Sequence, residues 1–428
     1  MAGMRTSKTA AAIFSCLLAA PTDAAMLETA APETVGMSSA GLAALKSAMT
    51  DMVTAGRRAG IVYAVARDGK LVALEAIGKR DLERDLPMEP DTAFRIYSQT
   101  RAITATATLS LLDEGRFALA DPVAKYIPEI GTMRVLRAGS TTETEPQAQP
   151  ISVMHLFTYT AGFGYANHWP KHLNVKQSDV LDITKTTADG MRNLAKLPLL
   201  HQPGAKWHYG FAGDVLGRVA EVASGQPLDV LLQQRVFSPL AMKHSGFWIS
   251  PEENARRTLA NVYSPGSEGK LVDTSDRAIA LSTFTHPGPL FSGGGGLVST
   301  VPDYLRFAQM LLNSGELDGA RVLKPETVQA MLTRQTTADQ GDVYWYEPDA
   351  FPTVKGFGWG LSIGVRPDDG GPDVPGKPGE RGWAGLANTL FFINVKERIA
   401  AVAMSQYVGP QAGELNDRFR AGVYGAIK

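Results

Sequence analysis

The chain has 428 residues, of which 44% are hydrophobic, so it can bury a large core in one domain or in two interleaved domains. Its 42 basic and 43 acidic residues give a formal net charge of −1, which argues against the basic surface that nucleic acids or anionic lipids attract. A single cysteine, Cys16, excludes an intramolecular disulfide and any multi-cysteine metal site.

Residues 1–25 have the order of a secretory signal peptide. Arg5 and Lys8 precede an apolar run over residues 10–20, and small residues follow it. This pattern predicts a periplasmic or secreted protein, with a cytoplasmic protein as the alternative, and cleavage would remove Cys16. Later segments fall short of the roughly 20 apolar residues that span a bilayer, so no membrane span is predicted.

The first elements predicted after residue 25 are a helix and a hairpin. Ser38 or Ser39 can cap a helix whose apolar residues recur at helical spacing. Two β-type runs follow at 61–66 and 71–76, and an Asp-Gly pair, which favours tight hairpin turns, separates them. An antiparallel sheet therefore begins here.

The middle of the chain is mainly helical, and strands return near its end. Apolar periodicity predicts helices at 102–112, 215–223 and 304–312, joined by loops rich in Pro, Gly and Thr. Two further strands are predicted at 389–394 and 399–405, followed by an amphipathic helix over 412–427.

This layout is an α+β fold, with an antiparallel sheet from both chain ends flanked by helices and a mainly helical region inserted between them. We assign the sheet domain to residues 26–95 and 290–428 and the helical region to residues 96–289. The active site is expected where the two regions meet.

Two sequence motifs that contain a serine are poor candidates for the nucleophile. The G-x-S-x-G at 360–364 lies in an alternating run, 359–365, that predicts strand throughout, whereas a nucleophile elbow needs a strand, a turn and a helix. The S-x-x-K at Ser267 to Lys270 lies in a loop that offers no helix to align the two side chains.

Ser98 is the stronger candidate, because it falls at the start of the helix predicted over 102–112. Backbone N–H groups in a first helical turn are unpaired, and the positive end of the helix favours the anion formed when a carbonyl is attacked. Arg101 lies one turn on, on the same face. Taken alone, this segment fits a simple N-cap serine better than a nucleophile.

Distant segments change that interpretation. The motifs occur in order: Ser98 and Arg101 at S-x-x-K spacing, L-F-T-Y-T-A-G at 156–162, Trp207-His208-Tyr209, S-G-G-G-G-L-V-S-T at 292–300, and Gly382-Trp383-Ala384-Gly385. From about Pro32 to the C-terminus the chain resembles the serine β-lactamase and penicillin-binding-protein superfamily. It looks most like the family VIII carboxylesterases, which are similar to class C β-lactamases.

The resemblance implies a β-lactamase/transpeptidase-like fold and a serine hydrolase that works through an acyl-enzyme. Ser98 would be the nucleophile and Tyr209 the base. The backbone N–H groups of Ser98 and Leu386, the latter next after the W-x-G triplet on an edge strand, would form the oxyanion hole, which contributes a few kcal/mol of barrier lowering. Trp383, Ala384 and Gly385 would take the place of the family's K-T-G triplet in the substrate site.

The same resemblance indicates the class of substrate. Trp383 replaces a lysine and so removes the positive charge that grips a β-lactam carboxylate, which favours neutral short acyl esters. Phe211 stands where β-lactamases carry Asn, so a polar substrate contact is missing, and His208 could line the pocket. Because relatives of this fold also cleave amides, peptides and lactams, such a hydrolase is the alternative.

Arg101 is the departure from the family pattern that matters most. The family has a lysine that can lose its proton, whereas arginine, with a pKa above ~12, stays charged in proteins. Arg101 could hold Tyr209 as a phenolate and leave it as the sole base. Otherwise the substitution leaves a slow hydrolase, or a catalytically attenuated binding protein.

The remaining motifs imply no metal and no organic cofactor. The seven histidines lie in no recognisable Ser-His-Asp context. His168 and His172 are four residues apart, but Pro170 between them argues against a zinc-binding helix, so both are predicted to be polar surface residues. The run 293–296 is predicted to pack tightly rather than to bind phosphate. The expected partner is a small-molecule ester or amide, not a nucleic acid.

Overall fold

The computed structural model describes residues 26–250, 259–341, 343, 356–368, 371 and 374–428. The predicted signal peptide at residues 1–25, with Cys16, lies outside these residues, and so does part of the loop after Thr336. Among the helices in the described part of the chain, none combines the length and the apolar character needed to cross a membrane.

Strands occur in both ends of the chain and, as short pairs, in the middle. They are β1 Gly60–Arg67, β2 Lys70–Asp81, β3 Leu86–Pro87, β4 Phe94–Arg95, β5 Val135–Leu136, β6 Thr144–Glu145, β7 Tyr263–Pro265, β8 Leu271–Asp273, β9 Val298–Ser299, β10 Glu316–Leu317, β11 Ala320–Arg321, β12 Gly358–Trp359, β13 Gly364–Val365, β14 Glu380–Gly385, β15 Thr389–Asn394 and β16 Ile399–Met404.

The α-helices of the described residues alternate with these strands, and several 3-10 turns join them. They are α1 Ser39–Thr54, α2 Thr100–Asp113, α3 Val153–Phe157, α4 Gln177–Val180, α5 Thr187–Leu194, α6 Ala212–Ser224, α7 Leu228–Leu232, α8 Val301–Leu312, α9 Pro325–Leu332 and α10 Ala412–Gly425.

The main sheet has eight strands in the order β12-β13-β14-β15-β16-β1-β2-β3, and each neighbouring pair is antiparallel. Strand β1 from the N-terminal part pairs with β16 from the C-terminal part, with Val62 opposite Met404. The prediction of one antiparallel sheet built from both chain ends is therefore confirmed.

The predicted N-terminal helix and hairpin both form. The side chain of Ser38 accepts a hydrogen bond from the backbone N–H of Gly41 and caps α1. Asp68 and Gly69 connect β1 to β2 with φ values of 51° and 77°, the left-handed pair that a two-residue type I′ turn requires.

Helices cover both faces of the sheet, as two neighbouring residues of β15 show. Phe391 contacts Tyr304 and Phe307 of α8, with ring centroids 4.9 and 6.2 Å apart. Phe392 contacts Phe419 of α10 at 5.9 Å. Because successive strand residues point to opposite faces, α8 lies on one face and α10 on the other. This explains why every residue of β15 and β16 is buried.

Helix α2 is the buried centre of the inserted region. Twelve of its fourteen residues are buried, and it packs against α6 and α7. A helix enclosed on all sides needs apolar or small residues around its whole circumference, and α2 supplies them with Ala, Ile, Leu and Thr. Its first turn therefore lies deep in the molecule, and the short 3-10 turn before it, Tyr97–Gln99, contacts β14 and β15 of the main sheet.

The prediction of continuous strand over residues 359–365 is wrong. Strands β12 and β13 are two residues each, and residues 360–363 form the turn between them, with Ser362 at φ 62°. Ser362 is 1% exposed and its N–H donates to the Phe157 carbonyl. The turn leads directly into strand β13 and not into a helix, so the conclusion that Ser362 is not on a nucleophile elbow stands.

Candidate active site

Ser98 lies on a tight 3-10 turn, Tyr97–Gln99, that joins β4 to α2. Strand β4 pairs with β9, and the Ile96 N–H donates to the Leu297 carbonyl at 3.0 Å, which anchors the approach to the turn. Tyr97 has φ 41°, a left-handed conformation that is strained for a bulky residue. Ser98 itself is partly exposed, so the turn presents its hydroxyl at the start of a buried helix.

Arg101, in the first turn of α2, is buried with its guanidinium held by two tyrosines. Its Nη1 donates to Tyr159 Oη at 2.6 Å and to the Gly210 carbonyl at 3.2 Å. Its Nη2 donates to Tyr165 Oη. The guanidinium carbon lies 4.3 Å from the centroid of the Tyr209 ring. Arg101 therefore sits as a cation against the predicted base.

The electrostatics keep Arg101 charged and its tyrosine partners neutral. Burial lowers the pKa of Arg101, but nearby groups, Tyr159, Tyr165 and Tyr209 foremost, outweigh burial and raise it well above its ordinary value. Burial raises the pKa of Tyr159 and of Tyr165 well above the usual range, although the Arg101 charge acts in the opposite sense. Both hydroxyls stay protonated at neutral pH.

Tyr209 and Trp383 meet directly, across 174 residues of sequence. The indole Nε1 of Trp383 donates to Tyr209 Oη at 2.8 Å. An indole N–H can only donate, so the Tyr209 oxygen is the acceptor. The Tyr209 ring also stacks on Tyr159 at 5.5 Å and 17°. Packing and hydrogen bonding thus fix both the plane and the oxygen of Tyr209.

Aromatic rings surround this pair. Trp359 meets Trp383 edge to face at 4.5 Å, and its own Nε1 donates to the Phe157 carbonyl. Trp207 lies 5.9 Å from Tyr209 in a stacked arrangement. An aromatic wall of this kind suits apolar groups of a ligand and excludes water from nearby polar contacts.

The W-x-G triplet ends β14 beside the Ser98 turn. A Cβ on Gly385 would lie 2.2 Å from the Ile96 carbonyl oxygen, so only glycine allows the two backbones to approach so closely. Thr389 Oγ1 also donates to that carbonyl, at 3.3 Å. The close contact between the backbones of Ile96 and Gly385 therefore lies beside both proposed donors. Ser98 comes two residues after Ile96, and Leu386 comes directly after Gly385.

The placement of Leu386 on an edge strand needs correction. Leu386 lies in the turn after β14, because the hairpin to β15 starts there. The first residues of β14 also lie inside the sheet and not at its edge, because β13 pairs with Arg381 and Gly382. Strand β13 is too short to cover Trp383 to Gly385, so only this end of β14 lies at the edge of the ladder.

The other predicted substrate residues lie at different depths. Phe211 is fully buried, with Tyr165 edge-on at 5.3 Å and Trp169 stacked at 6.1 Å. Ala384 is partly buried in β14. His208 is partly buried and its Nε2 lies 2.9 Å from Nδ1 of His168. His168 is thus partly buried in a side-chain pair and not the polar surface residue predicted, whereas His172 is exposed, as predicted.

Asp214 was missed at the sequence level. Its Oδ1 accepts from Ser292 Oγ at 2.5 Å and from the Gly294 N–H at 3.1 Å. Burial raises the pKa of Asp214, opposed by the Arg101 charge. A Cβ on Gly294 would lie 2.4 Å from the Asp214 carboxylate, so the glycine run packs tightly beside the site. The Asp in Asp214-Val215-Leu216-Gly217 and the conspicuous glycine run were the available signals.

Tyr159 and Tyr165 were also missed as partners of Arg101. Tyr159 is the tyrosine of the L-F-T-Y-T-A-G motif at 156–162, so both it and Arg101 were visible as members of the ordered motifs. Only the fold shows that their side chains are hydrogen-bonded. Among the described residues, no cluster of three or more His, Cys, Asp or Glu side chains is arranged to hold a metal ion.

Comparison with known proteins shows the family of the chain. A profile of the beta-lactamase family matches residues 45–424. Protein Rv1367c of Mycobacterium tuberculosis is 34% identical over 353 residues, covering 80% of this chain and 84% of that protein. Esterase EstB of Burkholderia gladioli is 31% identical over 416 residues, covering 92% of this chain and 98% of EstB.

A solved structure shows the same fold. EstCE1, described as a hydrolase with promiscuous acyltransferase activity, superposes with a TM-score of 0.71 at 24% identity, over 90% of this chain and 99% of EstCE1. The fold is accordingly β-lactamase/transpeptidase-like. Because the family profile spans most of the sequence and the relatives align over nearly their whole lengths, the chain belongs to the beta-lactamase family.

Proposed function

We propose that the protein is a carboxylic ester hydrolase that forms an acyl-enzyme on Ser98. The similarity to Esterase EstB over almost the full length supports the esterase class. The observation that carries the mechanism is the arrangement around Arg101, whose cation lies 4.3 Å from the Tyr209 ring while Tyr159 and Tyr165 accept its N–H groups.

This arrangement favours Tyr209 as the base over the other groups nearby. Arg101 stays protonated, because its pKa is raised further by the tyrosines and by Asp214 despite the cost of burial. Tyr159 and Tyr165 are kept neutral by burial, which raises the pKa of each. Within this cluster, Tyr209 is the tyrosine whose oxygen accepts a hydrogen bond from the W-x-G triplet, donated by Nε1 of Trp383.

In the first half of the reaction, Tyr209 takes the proton of Ser98 Oγ, and Oγ attacks the carbonyl carbon of the ester. The carbonyl oxygen becomes an oxyanion that accepts from the N–H groups of Ser98 and Leu386. When the tetrahedral intermediate collapses, the C–O bond to the alcohol breaks and Tyr209 returns the proton to the leaving alkoxide.

In the second half, Tyr209 takes a proton from water as the water attacks the acyl carbon. The second tetrahedral intermediate collapses with cleavage of the bond to Ser98 Oγ, and Oγ regains the proton. A carboxylic acid leaves and Ser98 is restored, so no external oxidant, reductant or metal is required. Arg101 moves no proton in either half, because it stabilises charge on Tyr209 as a fixed cation.

We further propose neutral esters of short acyl groups as substrates. Trp383 replaces the lysine that binds a lactam carboxylate in the family, and its N–H is engaged by Tyr209. Arg101 cannot substitute for that lysine as a carboxylate ligand, because it is 1% exposed and its N–H groups are directed at Tyr159, Tyr165 and Gly210. An acid group on a substrate would therefore be desolvated without a partner.

The test replaces Ser98 by Ala, with Ser267→Ala as the matched control. Ser267 lies in the other S-x-x-K sequence, on an exposed turn, so its loss should leave activity unchanged. We expect Ser98→Ala to lower kcat for p-nitrophenyl acetate by roughly 10³-fold or more, leaving only the residual catalysis of binding and the oxyanion hole. Undiminished turnover in Ser98→Ala would remove Ser98 from the mechanism.

Covalent labelling separates the enzyme from a binding protein of the same fold. A fluorophosphonate should add one adduct to the wild-type protein, at Ser98, and none to Ser98→Ala, as read by mass spectrometry. A folded wild-type protein that takes no label and cleaves no ester would support an attenuated binding protein. Faster cleavage of nitrocefin or a peptide amide than of esters would instead support the lactamase or amidase alternative.

A further inference from the structure

The turn that contains Leu386 ends on a buried asparagine, Asn388. Strands β14 and β15 pair as far as Gly385 and Thr389, which leaves a three-residue loop, 386–388. Such loops usually place a residue in the left-handed region at their end, and here Asn388 does so with φ 65°. Its N–H donates to the Gly385 carbonyl at 3.0 Å, which closes the turn around Leu386.

Asn388 does more than allow the turn to form. It is 2% exposed, its Oδ1 accepts from Arg58 Nε at 2.7 Å, and its Nδ2 donates to the Ala412 carbonyl at 2.9 Å. Glycine would adopt this φ at no steric cost, so the backbone does not require a buried amide here. The amide instead ties the turn to two distant parts of the chain.

Arg58 connects the turn to the start of α10. It is 1% exposed, and its Nη2 donates to the Gln411 carbonyl at 2.6 Å. Its guanidinium also lies 3.9 Å above the Tyr407 ring, and the Tyr407 N–H donates to the Ala387 carbonyl at 3.0 Å. One cluster, made of Arg58, Gln411 and Tyr407, thus holds both the side chain and the backbone of the turn.

The two residues that flank the turn, Gly385 and Thr389, contact the nucleophile segment. There the Gly385 backbone lies against the Ile96 carbonyl, to which Thr389 Oγ1 also donates. The turn is therefore clamped between the Ser98 segment and the Arg58 cluster. Any movement of Asn388 changes the distance between the N–H of Leu386 and that of Ser98.

We infer that Asn388 and Arg58 are positioning residues for the oxyanion hole, because together they hold the Leu386 N–H at a fixed place relative to Ser98. This inference rests on the proposed function, in which both N–H groups bind the oxyanion. Neither side chain touches the substrate. Their effect is on the transition state, where a displaced donor no longer meets the developing charge.

The test replaces Asn388 by Gly, which keeps the positive φ and removes the amide. We expect kcat for an ester to fall about 10- to 100-fold, with KM changed less than about threefold, because the lost contact acts only on the transition state. Labelling of Ser98 by a fluorophosphonate should slow by a similar factor, since that reaction also builds charge on an oxygen in the hole.

Asn388→Asp is the conservative variant and covers the case in which the glycine variant does not fold. A carboxylate can accept from Arg58 Nε and tolerates the left-handed backbone, but it cannot donate to the Ala412 carbonyl as the amide does. We therefore expect part of the rate to return. Wild-type kcat in Asn388→Gly, or equal losses in the Asp and Gly variants, would overturn the inference.

Tyr424→Phe is the control for simple loosening of α10. Tyr424 Oη donates to Glu380 at 2.8 Å near the far end of that helix, so its loss should lower Tm and leave kcat unchanged. A fall in kcat in Tyr424→Phe as large as that in Asn388→Gly would show a merely structural role. If the wild-type protein is not labelled at Ser98, the proposed function fails; if it is labelled and Asn388→Gly reacts at the same rate, only this inference fails.

Discussion

Replacing Arg101 by Lys tests whether the protein depends on a permanent cation. The guanidinium reaches Tyr159 Oη, Tyr165 Oη and the Gly210 carbonyl through two separate nitrogens. A lysine has one nitrogen on a shorter side chain. It cannot bridge both tyrosine hydroxyls in the same way, so at least one hydroxyl loses its partner and the charge withdraws from Tyr209.

The size of the effect follows from the distances. At an effective dielectric constant of about 20, a unit charge 4.3 Å from the Tyr209 ring centroid interacts with a negative charge there by about 4 kcal/mol. If the lysine nitrogen lies about 2 Å farther away, the interaction falls by about 1 kcal/mol, or a little under tenfold in rate. Losing one charged hydrogen bond should lower the free energy of unfolding by about 2 kcal/mol.

The pH dependence sharpens this prediction. Burial lowers the pKa of a lysine, whereas the native arginine stays charged because its pKa is raised above its ordinary value. The deficit of Arg101→Lys in kcat/KM should therefore grow as pH rises and the lysine loses its charge. The assay is ester hydrolysis across pH, with the exposed Arg137→Lys as control.

One result would refute the reasoning. A rate in Arg101→Lys that exceeds the wild-type rate and climbs with pH would mean that the neutral lysine acts as a base. The native arginine would then mark an attenuated enzyme, and Tyr209 would not be the sole base.

Two further predictions concern close packing and an acidic side chain. Gly385→Ala places a methyl group 2.2 Å from the Ile96 carbonyl oxygen. We therefore expect Tm to drop and kcat to fall about 100-fold. The control is Gly425→Ala, where a Cβ meets nothing within 4 Å, and it should change neither quantity. The hydrogen bond from Tyr126, aided by further donors, lowers the pKa of Asp121 to about 2. Since that pKa is depressed, the stabilisation is present above about pH 4 and is lost toward pH 2, so Asp121→Asn should cost about 1 kcal/mol at pH 7. Denaturant unfolding should show the difference between the two proteins shrinking as pH falls from about 4 and vanishing below about pH 2; a gap that persists below about pH 2 would contradict this.

Periodicity and turn chemistry were enough to predict the five longest helices and four strands of the main sheet. The hairpin at Asp68 and Gly69 and the buried helix after Ser98 depend on local preferences that act within a few residues. The run at 359–365 was misread for the same reason. Alternation predicts a strand, but Ser362 adopts φ 62° because its N–H reaches Phe157 from a distant segment.

Ordered motifs likewise singled out Ser98, Tyr209 and the W-x-G triplet as candidates before any geometry was known. Each motif is short, and its order along the chain carries the information. What the motifs could not show is how Arg101 is accommodated, because its partners Tyr159 and Tyr165 lie 58 and 64 residues away.

By itself, then, the sequence determined the longest local elements, the family resemblance and the candidate residues for the proposed reaction. Only the tertiary structure decided which side chains meet. It brings Trp383 onto the Tyr209 oxygen and joins Arg58 to Asn388 across 330 residues. The physical reason is that periodicity and turn preferences act over a few neighbours, whereas the buried hydrogen bonds that orient a site form between segments that only the packing of the whole chain brings together.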